Sequence, residues 1–138
     1  MHAGRERLLL QVAVAIGCLV PLTAGAMGVW LGPEIVIERE GPVLPDLASH
    51  FRYLSGLLLG IGACFAYCIP TIEQRSDYFA LLGALVFIGG LARLFSLAAN
   101  GLPSSPHLFG LVMELFITPF LVIWQRRVAR RFAETGLS

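Results

Sequence analysis

Lysine is absent from this sequence, and all ten basic residues are arginines. Charge of either sign is sparse: 14% of the 138 residues are charged, against about 25% in a soluble domain. The formal net charge of +1 supplies no bulk field for a polyanion, so nucleic acid is not an expected partner. Cysteine is limited to Cys18, Cys64 and Cys68, all inside apolar runs. Cys64 and Cys68 share a helix face at i, i+4, but no histidine or further cysteine completes a metal set. Two cysteines one turn apart on a helix also do not suit a disulfide. All three read as small apolar core residues. No Ser/His/Asp set, phosphate-binding glycine loop, internal repeat or low-complexity segment is present, and no cofactor is evident.

What the chain has in abundance is apolar sequence, with 57% hydrophobic residues and a mean hydropathy of +0.77. Four apolar runs are each long enough for a membrane span, which needs roughly 20 residues. They predict helices at about 8–31, 49–70, 78–98 and 107–125, an outer loop over 32–48 and a basic tail over 126–138. The expected fold is all-α, an integral membrane four-helix bundle in a single domain over 1–138. Arg5 and Arg7 followed by Ala24-Gly25-Ala26 offer a rival reading of the first run as a cleaved leader. The run exceeds the about 7–15 residues of a leader's apolar core, which favours a retained helix.

Within the first run, Pro21 predicts a kink, and Gly28 and Gly32 form a small-xxx-small step. In the loop, Pro33, Pro42 and Pro45 argue against a continuous helix, and Ile35-Val36-Ile37 suits a short strand or an interfacial patch. Glu34, Glu38, Glu40 and Asp46 make this loop acidic, without the ligand spacing of a calcium site. Ser49 is the expected N-cap of the second helix. Arg52, Gly56, Gly60 and Ala63 share one of its faces, with Gly56/Gly60 as a GxxxG step. In the third helix Gly89, Arg93, Ser96 and Asn100 form one stripe. In the fourth, Gly110, Glu114 and Thr118 share a face, and Pro119 predicts a kink.

Arginine placement sets the expected orientation. With the N-terminus cytoplasmic, Arg5, Arg7, Arg75, Arg126, Arg127, Arg130 and Arg131 fall inside, and Arg39 and Arg52 outside. Both termini are then cytoplasmic, in an inner (plasma) membrane protein of several passes. The tail arginines could each gain about 1 kcal/mol from anionic lipid.

This topology brings the entrance of helix 2, the end of helix 3 and the start of helix 4 to the outer face. Arg93 and Glu114 lie roughly 8–10 Å inside their helix ends. Arg52 is shallower, and His50, His107, Ser96 and Asn100 surround the same mouth. A charge inside an apolar run is costly unless paired or wetted, so Arg93 and Glu114 are expected to pair. Such a pair can be a packing clamp. Alternatively, two arginines against one carboxylate leave a positive site suited to an acidic group. Glu114 is also the one candidate catalytic group, a proton donor or acceptor on which burial and a neighbouring arginine act in opposite directions.

The segments His50-Phe51-Arg52-Tyr53-Leu54-Ser55-Gly56, Gly89-Gly90-Leu91-Ala92-Arg93-Leu94-Phe95-Ser96 with Gly101-Leu102-Pro103, and Glu114-Leu115 carry a family pattern. The pattern resembles a family of small bacterial membrane proteins known as domain of unknown function 4345, and is similar to the broader DoxX-like four-helix group. The resemblance covers nearly the whole chain. It implies a four-helix inner-membrane protein and supplies no activity. Some DoxX-like relatives are linked to quinone-coupled oxidation, but no residue set in this chain licenses that transfer.

Three functions follow as expectations. The first is a small-ligand or lipid-binding module, or an accessory membrane subunit, using the Arg/Glu cluster; it is not an enzyme. The second is a membrane enzyme using Glu114 for proton transfer on a lipid-soluble or acidic substrate. The third is a transporter built by oligomerisation, because four short helices leave one protomer little room for a path. The expected partners are the bilayer, an acidic or lipid-soluble ligand, and a second copy or another membrane subunit.

Overall fold

The computed structural model describes residues 3–36, 42–134 and 136. Among the described residues there is no strand, and four helices are long and apolar enough to cross a membrane. Helix α1 runs over Ala3–Leu31, α2 over Pro45–Cys68, α3 over Ser76–Asn100 and α4 over Ser105–Glu134. Their outward side chains suit hydrocarbon. Trp30 is 85% exposed, and Leu102, Phe95, Tyr67 and Phe116 are also largely bare, a surface that a water-soluble monomer rarely carries.

The helix ends depart from the apolar runs in instructive ways. Helix α1 begins five residues early, because Gly4 to Arg7 include good helix formers and Glu6 sits in the positive first turn. It stops at Gly32, whose φ of 81° is a conformation that only glycine enters easily. Pro33–Ile35 then makes a 3-10 turn and Val36 a turn, so no strand forms there. Ile37, Glu38, Arg39, Glu40 and Gly41 lie outside the described residues.

Helix α2 starts at Pro45, not at Ser49. Proline at the first helical position is preorganised for that geometry, and Asp46 complements the helix dipole. Leu44 is the N-cap and makes no side-chain capping bond. After Cys68 the chain tightens into a 3-10 stretch, Ile69–Gln74, broken at Thr71 (φ −124°, ψ 42°). Helix α3 ends at Gly101, with φ 90°. Helix α4 does not stop at residue 125: the expected tail continues as helix to Glu134.

The chain forms two compact units, one of Val12–Ile69 and one of Met1–Gln11 with Pro70–Ser138. In the first, α1 meets α2 where Cβ atoms are missing. A Cβ on Gly25 would lie 2.6 Å from the Leu59 backbone nitrogen, and one on Gly62 would lie 3.2 Å from Leu22 N and the Pro21 ring. Gly28 faces Ser55 in the same way. The Gly56/Gly60 step is not the seam: Gly60 has nothing within 4 Å, and Gly56 reaches only Val29 Cγ2 at 3.9 Å. The Gly56/Gly60 spacing is that of a packing step, but the rotation of α2 presents Gly62 and Ser55 to α1 instead. Cys18 and Cys68 are buried and Cys64 is exposed, so the core reading holds for two of the three; all are free thiols.

In the second unit α3 packs on α4 across Gly83 and Gly90. A Cβ on Gly90 would lie 2.7 Å from Leu115 Cδ2 and 2.9 Å from Glu114 Cβ. Neighbouring Gly89 has nothing within 4 Å. Gly90→Val is therefore expected to destabilise by about 1–3 kcal/mol through overpacking. Gly89→Ala should be neutral or stabilise by less than about 1 kcal/mol through helix propensity. Unfolding equilibria in mixed micelles measure both, and equal effects would rule out close helix approach at Gly90.

Candidate functional site

The close approach at Gly90 brings the next turn of α3 against α4, and Arg93 occupies that turn. On the facing helix the hydrogen-bond ladder is altered. Met113–Ile117 forms a π-helical turn, in which the Thr118 N–H reaches back to the Met113 carbonyl. The Thr118 hydroxyl donates to the same carbonyl at 2.9 Å. Pro119 explains the location: it has no N–H for the preceding turn and its ring crowds the carbonyl four residues back. The chain widens by one residue instead of breaking, and such π turns recur at functional sites. Glu114 is on this turn.

Arg93 Nε donates to Glu114 Oε1 at 3.0 Å, and the same nitrogen lies 3.0 Å from Oε2. The Glu114 side chain is 17% exposed and that of Arg93 39%. Oε2 is shielded and takes no hydrogen bond among the described residues. Arg93 Nη1 lies 3.0 Å from His107 Nδ1. A guanidinium has no acceptor, so in this contact Nη1 is the donor and Nδ1 the acceptor. His107 itself is exposed. Gly110 leaves room beside the group: a Cβ there would sit 3.8 Å from Arg93 Cζ and 3.9 Å from Glu114 Oε1.

Because α4 begins at Ser105, Glu114 is deeper than expected, about 14 Å from the helix start at 1.5 Å per residue. Arg93 is about 10 Å from the end of α3. Arg93 thus links a carboxylate well inside α4 to a histidine in its first turn.

The other expected site residues divide in two. Ser96 and Asn100 are exposed on α3 and bond each other, Asn100 Nδ2 to Ser96 Oγ at 3.3 Å. Arg52 and His50 belong to the unit of Val12–Ile69. Arg52 Nε donates to the Val29 carbonyl at 3.2 Å. Its Nη2 and Glu34 Oε2 both stand over Gly32, each 2.6 Å from where a Cβ would be. Arg52 therefore has a carboxylate beside it, and Arg93 is matched one to one by Glu114. The expected surplus of positive charge is offset locally.

A second polar cluster, at the opposite end of α3 and α4, was not expected from the sequence. Glu6 is 3% exposed. It pairs with Arg127 (Nε to Oε1, 3.3 Å) and with Arg131 through Nη1 and Oε2. Arg7 Nε lies 2.7 Å from Glu73 Oε2, and its Nη2 donates to the Pro70 carbonyl at 2.7 Å, a carbonyl bordering the break at Thr71. Gln125, fully buried, donates to the Ile72 carbonyl at 2.6 Å and to Ser76 Oγ at 3.0 Å. The available signal was Arg127 and Arg131 at i, i+4 beside the buried stripe Gln125, Val128 and Phe132. Among the described residues no group of three His, Cys, Asp or Glu side chains could hold a metal ion.

Residues 9–125 match the model of a family described as Domain of unknown function (DUF4345). The chain belongs to the DUF4345 family. The match takes in Arg93, His107 and Glu114 and stops at Gln125, leaving Glu6 and the arginines of the α4 terminus outside it. No curated protein and no solved structure matches the chain.

Proposed function

We propose that this DUF4345 protein is a multi-pass protein of the inner (plasma) membrane, with one transmembrane domain and both termini cytoplasmic. It binds a lipid-soluble ligand at Arg93 near the outer leaflet, alone or as an accessory subunit of a membrane complex. The DoxX-like four-helix group is the wider setting for this reading, and arginine placement supports the orientation. One observation carries the ligand assignment. Of the five N–H donors of Arg93, one goes to Glu114 and one to His107, which leaves three uncommitted among the described residues.

The carboxylate is the more buried partner, 17% exposed against 39% for Arg93. The more exposed part of the pair is therefore the guanidinium with its donors, its charge matched by Glu114. It suits a hydrogen-bond acceptor such as a carbonyl oxygen carried on an apolar body, more than a strong anion. A second reading, a membrane enzyme with Glu114 in proton transfer, rests on Oε2, shielded and without a hydrogen bond.

Native mass spectrometry of protein extracted gently from membranes tests both. The wild type should carry a lipid-soluble small molecule that the variant Arg93→Met with Glu114→Leu, once shown to be folded, has lost. Retention of that molecule by the folded double variant would overturn the binding reading. Glu114→Gln keeps an oxygen for Arg93, so it should keep the ligand and lose only proton transfer.

A further inference from the structure

Past Gln125 the residues of α4 sort into two faces. Gln125, Val128 and Phe132 are buried, at i, i+3 and i+7. Arg126, Arg127 and Arg130 are exposed. The buried Glu6 carboxylate takes Arg127 and Arg131. Arg126 and Arg130 make no ion pair or hydrogen bond among the described residues. Four residues apart, they project from one face and stand about 6 Å apart along the axis. Two guanidinium forks at that spacing suit the oxygens of a phosphate.

The exposed side of α4 is apolar over about one to three turns before these arginines, where Phe116, Phe120 and Ile123 are bare. From Ser105 to Ile123 the helix covers about 27 Å, close to the roughly 30 Å of a bilayer's hydrocarbon core. Arg126 and Arg130 then stand at the level of the lipid phosphates. A partner for this face must present hydrocarbon and phosphate in one piece, which a nucleic acid or an acidic peptide does not. Two unpaired positive charges select a headgroup with net negative charge over a zwitterionic one, whose own cation competes. We propose that the Arg126–Arg130 face of α4 binds the phosphate of an anionic phospholipid in the leaflet at that end, a role separate from the Arg93 site.

The test uses the full chain in nanodiscs of mixed phosphatidylcholine and phosphatidylglycerol, with retained lipid counted by native mass spectrometry and lipid preference measured with spin-labelled analogues. Each arginine at the headgroup level should contribute about fivefold to the preference for phosphatidylglycerol. Arg126→Gln with Arg130→Gln should therefore lower it roughly 25-fold. Arg127→Gln, whose guanidinium is already held by Glu6, should change it less than about twofold. The arginines replaced in the double variant have no protein partner, so its unfolding equilibrium should match the wild type. An unchanged preference in the folded double variant, or an equal loss in Arg127→Gln, would overturn the proposal.

Discussion

Arg93→Met alone is expected to destabilise the protein by about 2–4 kcal/mol, and Arg93→Met combined with Glu114→Leu by less than about 1 kcal/mol. The asymmetry follows from where the charges are. Arg93 sits about two turns and Glu114 about two and a half turns inside an apolar helix, where an uncompensated charge costs about 2.5–3.5 kcal/mol at full depth. The single variant leaves the Glu114 carboxylate, 17% exposed, without its guanidinium. The double variant removes both charges and leaves two apolar side chains of similar length against Gly90 and Gly110. Replacing a buried pair by apolar residues is often neutral or stabilising.

A double-mutant cycle on the unfolding free energy in bicelles should therefore give a coupling of about 2 kcal/mol or more. Costs that simply add would show that the two side chains do not act as a pair. The cycle also separates two roles the geometry combines. If the folded double variant loses its bound molecule, Arg93 holds a ligand as well as a helix. A pair that only clamps α3 to α4 would lose nothing further once apolar contact has replaced it.

The fold was legible where hydropathy decides it. Four apolar runs make four helices, because every span must satisfy its backbone internally. Arg93 and Glu114 stood out for the same reason, as charges that an apolar run does not tolerate alone. What escaped depends on groups that look ordinary in sequence. Pro45 reads as a loop proline, yet it begins α2 four residues before Ser49. Pro119 signalled a kink, but that Glu114 would lie on a π turn depends on how Thr118 and Met113 re-form the ladder. His107 was placed at the mouth; its bond to Arg93 depends on the reach of a long side chain across to α4. The Gly56/Gly60 step was misassigned because spacing reports a small-residue stripe without saying which way the helix is turned. Glu6, Glu73 and Gln125 carry no motif that singles them out in the sequence, and only their burial marks them as a network.

That network has its own ordering of effects. Arg127 is 62% exposed and Arg131 37%, whereas Glu6 is buried. The damage from breaking the cluster depends on which charge is left in a low-dielectric place. Arg127→Gln should cost about 1 kcal/mol or less, as for an exposed ion pair. Glu6→Gln should cost about 1–2 kcal/mol: the arginines left behind can turn to water or headgroups, and the amide still accepts a hydrogen bond. Arg127→Gln with Arg131→Gln should cost about 3–5 kcal/mol, because it strands a buried carboxylate with no cation. The same contacts tie the first turns of α1 to the end of α4, within the unit of Met1–Gln11 and Pro70–Ser138. The double arginine variant should accordingly expose residues 3–11 to protease before the rest of the chain, while Glu6→Gln does so far less. Unfolding free energies in bicelles, read with the order of cleavage, check the ranking. A Glu6→Gln variant as unstable as the double arginine variant would mean that the loss of the bonds, and not the stranded carboxylate, is what the protein cannot tolerate.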